Sequence, residues 1–186
     1  MSGFVWNMSR VGLIAMAIAA PIAVFAHGST RQKVTESVEI NVPAETVWKA
    51  IGDFHDMSWL PGVITTEGGA KPEFAHRKLI LQGGAAISES LTKYDADNMS
   101  YSYRIDDVDV KVLPVTNYSS TITVEPVEGN KSKVEWRGAF YRGDPNDNPP
   151  PELNDETSIA AVHALYRKGL DNVKQKLEVT KAEATH

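Results

Sequence analysis

The sequence predicts an α+β fold: a curved antiparallel sheet of about seven strands wrapped around one long C-terminal helix, with two short helices after the first strand. Three observations predict it. An alternating apolar/polar segment near the start runs directly into a proline-initiated helical segment. Six further alternating segments then follow one another with only short turns or loops between them, the pattern of antiparallel pairing. The chain closes on a long stretch of helical periodicity, and a sheet with one apolar face needs such a cover.

The elements follow in order. Residues 33–42 place Val34, Glu36, Val38 and Ile40 on one side and Thr35, Ser37, Glu39 and Asn41 on the other, the period of a strand. Pro43 suits the start of a helix, where its missing N–H costs nothing. Glu45 then favours the helix dipole, and Val47, Trp48 and Ile51 recur at helical spacing. Residues 53–62 read as a second short helix or turn closed by Pro61-Gly62. Strands are expected over 64–67, 76–82, 85–94, 99–105, 117–124 and 134–140. Gly83-Gly84 and Gly129-Asn130 are turns, and residues 106–114 form an acidic loop ending in Pro114. The proline-rich run 143–151 excludes strand and helix interior. Asn154 or Asp155 then caps the last helix, whose stripe is Ile159, Val162, Tyr166, Leu170, Val173 and Leu177. Gly169 costs that helix about 1 kcal/mol relative to alanine, which implies close packing. The tail after Val179 is polar and is expected to fray.

The chain has 186 residues, 42% hydrophobic and 23% charged, an ordinary globular composition. Its net charge of -5 argues against nucleic acid as the main partner. It contains no cysteine, which excludes thiol catalysis, disulfides and cysteine-ligated metals. Arg10 followed by an uncharged run to Ala26, with small residues at the end, has the layout of a secretory signal peptide. Sixteen residues fall short of the ~20 a membrane-spanning helix needs. Cleavage after Ala26 leaves one domain, 27–186, with net charge -6, no membrane span and a periplasmic destination.

Strand parity selects the inner face. Leu81, Ile87, Glu89, Tyr101, Tyr103, Tyr118, Trp136 and Phe140, with Trp59 and Tyr166 from outside the sheet, are candidate cavity residues, and His55 is a candidate for its mouth. The same pattern also describes a packed core. Glu89 is the odd member, because a carboxylate between Ile87 and Leu91 must be paired, protonated or near water. It is either a ligand anchor or base, or a partner to Arg77 or Arg104. The histidines His27, His55, His76, His163 and His186 show no metal-ligand spacing, and no cofactor motif is present.

The opening VEINVPAETVWKAIGDFHDMSWLPGV (38–63) resembles the helix-grip superfamily, which includes Bet v 1-like, START-related and polyketide cyclase/dehydrase (SRPBCC) proteins. That resemblance covers residues 33–178. Three further segments, KVLPVTNYSSTITV (111–124), VEWRGAFYRG (134–143) and NPPPELNDE (148–156), look like the MxaD family. This likeness implies an exported accessory protein of methanol oxidation, with methanol dehydrogenase and its cytochrome c as partners. It brings no catalytic residues and no cofactor. Candidate partner contacts are Asp106, Asp107 and Asp109 in the acidic segment and Asp144 and Asp147 in the proline-rich loop. Two other readings stand beside it: a carrier or sensor of an apolar small molecule, and a cyclase- or hydrolase-like enzyme built on Glu89.

Overall fold

In the computed structural model, which describes residues 28–68 and 75–183, every adjacent pair of strands is antiparallel. The strands are β1 (Gln32–Ile40), β2 (Val63–Gly68), β3 (His76–Leu81), β4 (Ala86–Asp95), β5 (Ser100–Val108), β6 (Val115–Val127) and β7 (Lys131–Arg142). Their order in the sheet is β1-β7-β6-β5-β4-β3-β2. β2 to β7 are thus a meander, and only β1 crosses over to pair with the last strand. Helix α1 (Ala44–Ile51) fills that crossover, and α2 (Asp155–Glu183) packs across the concave face beside β1 and β7. This is the helix-grip architecture. The predicted signal segment 1–26 lies outside the described residues.

Three local expectations change. Residues 53–62 form turns instead of a second helix, held by carboxylate caps from Asp53 to the His55 N–H and from Asp56 to the Ser58 N–H. Short Asx caps compete with helix there. The 106–114 segment is only partly loop, because β5 continues through Val108. α2 runs to Glu183, past the expected fraying point, because Lys181 donates to the Asn41 carbonyl at 2.6 Å and Glu178 accepts from the Asn41 N–H at 2.9 Å. The N-terminal end behaves as expected: Asn154 Oδ1 accepts from the Thr157 N–H at 2.9 Å.

The core is aromatic and closely fitted. Trp136 of β7 stacks on Tyr166 of α2 at 4.3 Å between centroids and 15° between planes. Trp59 meets the edge of Trp136 at 5.4 Å. Two glycines make this possible. A Cβ at Gly169 would lie 2.9 Å from Trp136 and 3.1 Å from Trp59, and one at Gly138 would lie 2.1 Å from the Tyr166 hydroxyl. The packing cost implied by Gly169 in the helix is therefore offset by aromatic contact on α2.

One ion cluster clamps α2 to β1. Glu36 Oε1 is 2.7 Å from His163 Nδ1, and Glu36 Oε2 accepts from Arg167 at 3.1 Å. Burial disfavours the Glu36 carboxylate, but the hydrogen bonds from His163 and Arg167 outweigh it and hold its pKa below the ordinary 4.5. A depressed folded pKa contributes stability above the unfolded value, lost as pH falls through the folded one. Glu36→Gln should therefore be less stable than the parent near neutrality, by roughly 0.5–1 kcal/mol for so exposed a cluster. The gap should close in strong acid; urea unfolding at both pH values is the check, and an unchanged gap in acid contradicts the clamp.

Candidate functional site

Between the sheet and α2 the fold leaves a cavity of about 330 Å³, at the lower end of the range of small-ligand sites. Strands β3 to β7 contribute inward-facing residues: Leu79 and Leu81 from β3, Ile87 and Glu89 from β4, Tyr103 and Ile105 from β5, Tyr118 from β6 and Trp136 from β7. The turn Met57–Val63 and the segment Val112-Leu113 form its side walls, and Leu165 and Lys168 close it from α2. Apolar atoms dominate the lining. Exposed Lys168 and Gly62 mark the mouth, with the Lys168 ammonium 4.0 Å from where a Gly62 Cβ would stand.

The inner end is polar and almost sealed. Arg77 and Glu89 are Cα partners across β3 and β4, and both are buried, 2% and 4% exposed. Arg77 Nε donates to Glu89 Oε2 at 2.5 Å, and Arg77 Nη1 donates to the Phe54 carbonyl at 2.6 Å. The guanidinium lies 4.1 Å from the Phe54 ring centroid and 4.9 Å from that of Tyr103, favourable cation–π geometry. Burial raises the Glu89 pKa, and Arg77 opposes the rise. Burial works against the Arg77 charge, but Glu89 more than restores it and the Arg77 pKa is raised. Glu89 Oε1 and the Tyr103 hydroxyl have no hydrogen-bond partner among the described residues. Among the described residues, Arg77 Nη2 and the Tyr101 hydroxyl are sealed at this end without a well-formed hydrogen bond, although the two side chains interact electrostatically.

A second polar group forms the back wall. The Trp136 indole N–H donates to Ser120 Oγ at 2.8 Å, and Ser120 Oγ donates to the Arg137 carbonyl at 2.8 Å. Ser120 Oγ therefore accepts from the Tyr166 hydroxyl at 3.2 Å, and Tyr166 accepts from Tyr118 at 2.6 Å. The donors run one way, from Tyr118 to a backbone carbonyl. Burial pushes Tyr166 up to about 12 and Tyr118 well above 10. These are neutral phenols that orient one another.

The structure brings Leu81, Ile87, Glu89, Tyr103, Tyr118 and Trp136 to one cavity. It places the other candidates elsewhere. Trp59, Tyr101, Phe140 and Tyr166 are core residues behind the lining. His55 borders a separate outer depression with Trp48, Phe54 and Tyr94. Alternation did not reveal Lys168 and Leu165, which flank the apolar stripe of α2; an off-stripe leucine three residues from a lysine was the available signal. The Met57–Val63 wall escaped because turns carry no period.

The acidic candidates also separate. Asp106 is the extra residue of a bulge, since Ser88 pairs with Asp107 and Glu89 with Ile105. Its carboxylate accepts from Ser90 Oγ and from Arg104 Nε. Asp107, Asp109 and Asp147 are exposed. Asp144 Oδ1 is occupied by the N–H and side-chain amide of Asn146. The 109–114 and 143–154 loops meet where a Gly143 Cβ would touch Pro114 and Leu153. Buried Arg142 ties this corner together, donating to the Asp144 and Asn146 carbonyls and to Asp155 Oδ2.

Solved structures share this architecture. The protein XoxI from Bacillus cereus is 32% identical, with a TM-score of 0.66, and the match covers 77% of this chain and 94% of that one. An uncharacterised protein from Bacillus thuringiensis is 33% identical, with a TM-score of 0.67, covering 78% and 98%. The Zhui aromatase/cyclase of a Streptomyces species, 14% identical with a TM-score of 0.62 over 80% and 94% of the two chains, shares the fold. A search of the curated proteins found no match. The model of the family described as polyketide cyclase / dehydrase and lipid transport matches residues 31–178. With that match over the whole sheet and most of α2, the chain belongs to this polyketide cyclase/dehydrase (SRPBCC) family.

Proposed function

We propose that this protein binds and carries a small, largely apolar molecule in the cavity under α2, as an exported accessory protein and not as an enzyme. The observation that carries the reading is the cavity of about 330 Å³ with a mostly apolar lining and few polar groups. Such a distribution suits binding with a preferred orientation. Glu89, the one buried carboxylate in the lining, is already paired to Arg77. The Arg77 charge opposes protonation of Glu89, so its remaining oxygen is a weaker base that is better suited to accepting a hydrogen bond, which favours carriage over cyclase- or hydrolase-like chemistry.

A second reading concerns the setting: assistance to methanol dehydrogenase and its cytochrome c in the periplasm. It is favoured by the convergence of the three MxaD-like segments. Val115 pairs with Arg142, Ser158 donates to the Pro114 carbonyl at 2.5 Å, and Arg142 binds Asp155. Asp109, Asp144 and Asp147 thus belong to two adjoining loops at one corner, where a basic partner would find them together.

One preparation tests both readings. The protein purified from its own host is expected to release an apolar compound on denaturing extraction, near one per chain. Leu81→Trp, which puts an indole into the cavity, should abolish that yield while keeping native circular dichroism. A dehydrogenase and a cytochrome c should co-elute at low salt and be lost at high salt. Empty protein overturns the carrier reading, and absence of both partners at low salt overturns the accessory one.

A further inference from the structure

Besides the hydrogen-bonded back wall, the mostly apolar cavity carries polar groups at its inner end and at its mouth, and these two groups differ in charge. At the inner end, Glu89 has one carboxylate oxygen bound to Arg77 and the other without a partner among the described residues. The hydroxyl of Tyr103, which lines the same space, is also without a partner among the described residues. A carboxylate oxygen accepts hydrogen bonds and donates none when ionised, whereas a phenol does both. A ligand group placed there must therefore donate to Glu89 and suit Tyr103, which a hydroxyl does. A second carboxylate there would face Glu89 at close range with its charge unmatched, because Arg77 is ion-paired to Glu89 and does not line the cavity, its unpartnered Nη2 being sealed off. The mouth has the opposite character. Lys168 is exposed, lines the cavity, has no acidic partner among the described residues, and holds its ammonium beside Gly62. Gln82 lies at the same rim; its backbone N–H donates to the Gly62 carbonyl at 2.8 Å, and its side-chain amide has no hydrogen-bond partner among the described residues.

Resting on the carrier reading above, we infer that the ligand is an apolar molecule with a hydroxyl at one end and an anionic group, such as a carboxylate, at the other. The hydroxyl enters first and meets Glu89 and Tyr103. The anionic group stays at the mouth against Lys168 and Gln82, where it keeps part of its hydration. The sealed end thus receives a neutral group, and the charged group never loses water completely. This arrangement also sets selectivity. A site built to hydrogen-bond a hydroxyl rejects the analogue that lacks it, because its own buried polar groups are left unpaired.

The test uses ω-hydroxydecanoate, decanoate and decanol as probes, followed by quenching of tryptophan fluorescence, since Trp136 lines the cavity. ω-Hydroxydecanoate is expected to bind at least about tenfold more tightly than decanoate, equivalent to about 1.4 kcal/mol. Tyr103→Phe keeps the ring and its packing and should reduce that preference to less than about threefold, a loss of half or more of the discrimination. Lys168→Glu, a change at an exposed position, should weaken both acids about tenfold and leave decanol unchanged. Equal affinity for the two acids overturns the inner hydroxyl subsite. Equal effects of Lys168→Glu on decanol and the acids overturn the anion position. If no probe binds at all, the carrier reading falls as well. If all bind without distinction, only the present inference falls.

Discussion

Arg77→Met is expected to destabilise the protein by about 3–5 kcal/mol, the cost of leaving one member of a buried ion pair alone. Arg77 is held by Glu89 at 2.5 Å, by the Phe54 carbonyl and between two aromatic rings. Methionine retains much of the stem volume, so the loss reports the uncompensated Glu89 carboxylate more than a cavity. The double variant Arg77→Met/Glu89→Leu removes both charges and should recover most of the loss, because apolar replacements of buried pairs are often neutral or better. The single variant also carries a pH signature. Burial already raises the Glu89 pKa above its ordinary 4.5 with Arg77 opposing; without Arg77 it rises further. A folded pKa above the unfolded one means that the native state binds more protons in the interval between them. The deficit should therefore shrink as pH falls through the folded value toward 4.5. Urea unfolding across that range is the measurement. A deficit below about 1 kcal/mol, or one independent of pH, contradicts the buried pair as drawn.

Trp136→Ala should cost a similar amount, about 3–5 kcal/mol, for loss of a large buried aromatic. The indole is 1% exposed and joins β7 to α2 through its stack on Tyr166, to the 53–62 turns through Trp59, and to β6 through its N–H on Ser120. Trp136→Phe retains an apolar ring but leaves Ser120 without its indole donor, and should cost less. The residue also lines the cavity, so the alanine variant enlarges it and should accept bulkier apolar probes. Thermal unfolding reports the first effect and probe titration the second. A loss below about 1 kcal/mol would mean that the site collapses around the missing ring, contrary to the rigid packing implied by Gly138 and Gly169.

Much of the fold was legible because it rests on periodicity. Alternation marked most strands, and parity placed Glu89 between Ile87 and Leu91. Parity fails where strands bulge. Val115 and Tyr118 are both buried although three residues apart, because β6 bulges between Thr116 and Ser119 with Asn117 at φ 47°. An extra residue reverses which side faces inward. Ile64 is another case: a bulge between Val63 and Thr65 leaves it 67% exposed on edge strand β2. The acidic segment was misplaced for the same reason, since the Asp106 bulge hides the continuation of β5.

The sequence by itself determined the element order, the inward-facing residues of the regular strand stretches and the cap region 154–155 that starts α2, since these depend on neighbours a few residues away. It also made Glu89 a residue that needed a partner or water. Only the tertiary structure decided which: Arg77 lies opposite on the next strand, with one Glu89 oxygen left over at the cavity. The same holds for the cavity itself. Whether facing apolar residues fill their space or leave a void depends on how far α2 stands from the sheet. That distance is set by contacts between segments remote in the chain, such as Gly169 against Trp136 and Gly138 against Tyr166, and no local pattern encodes it.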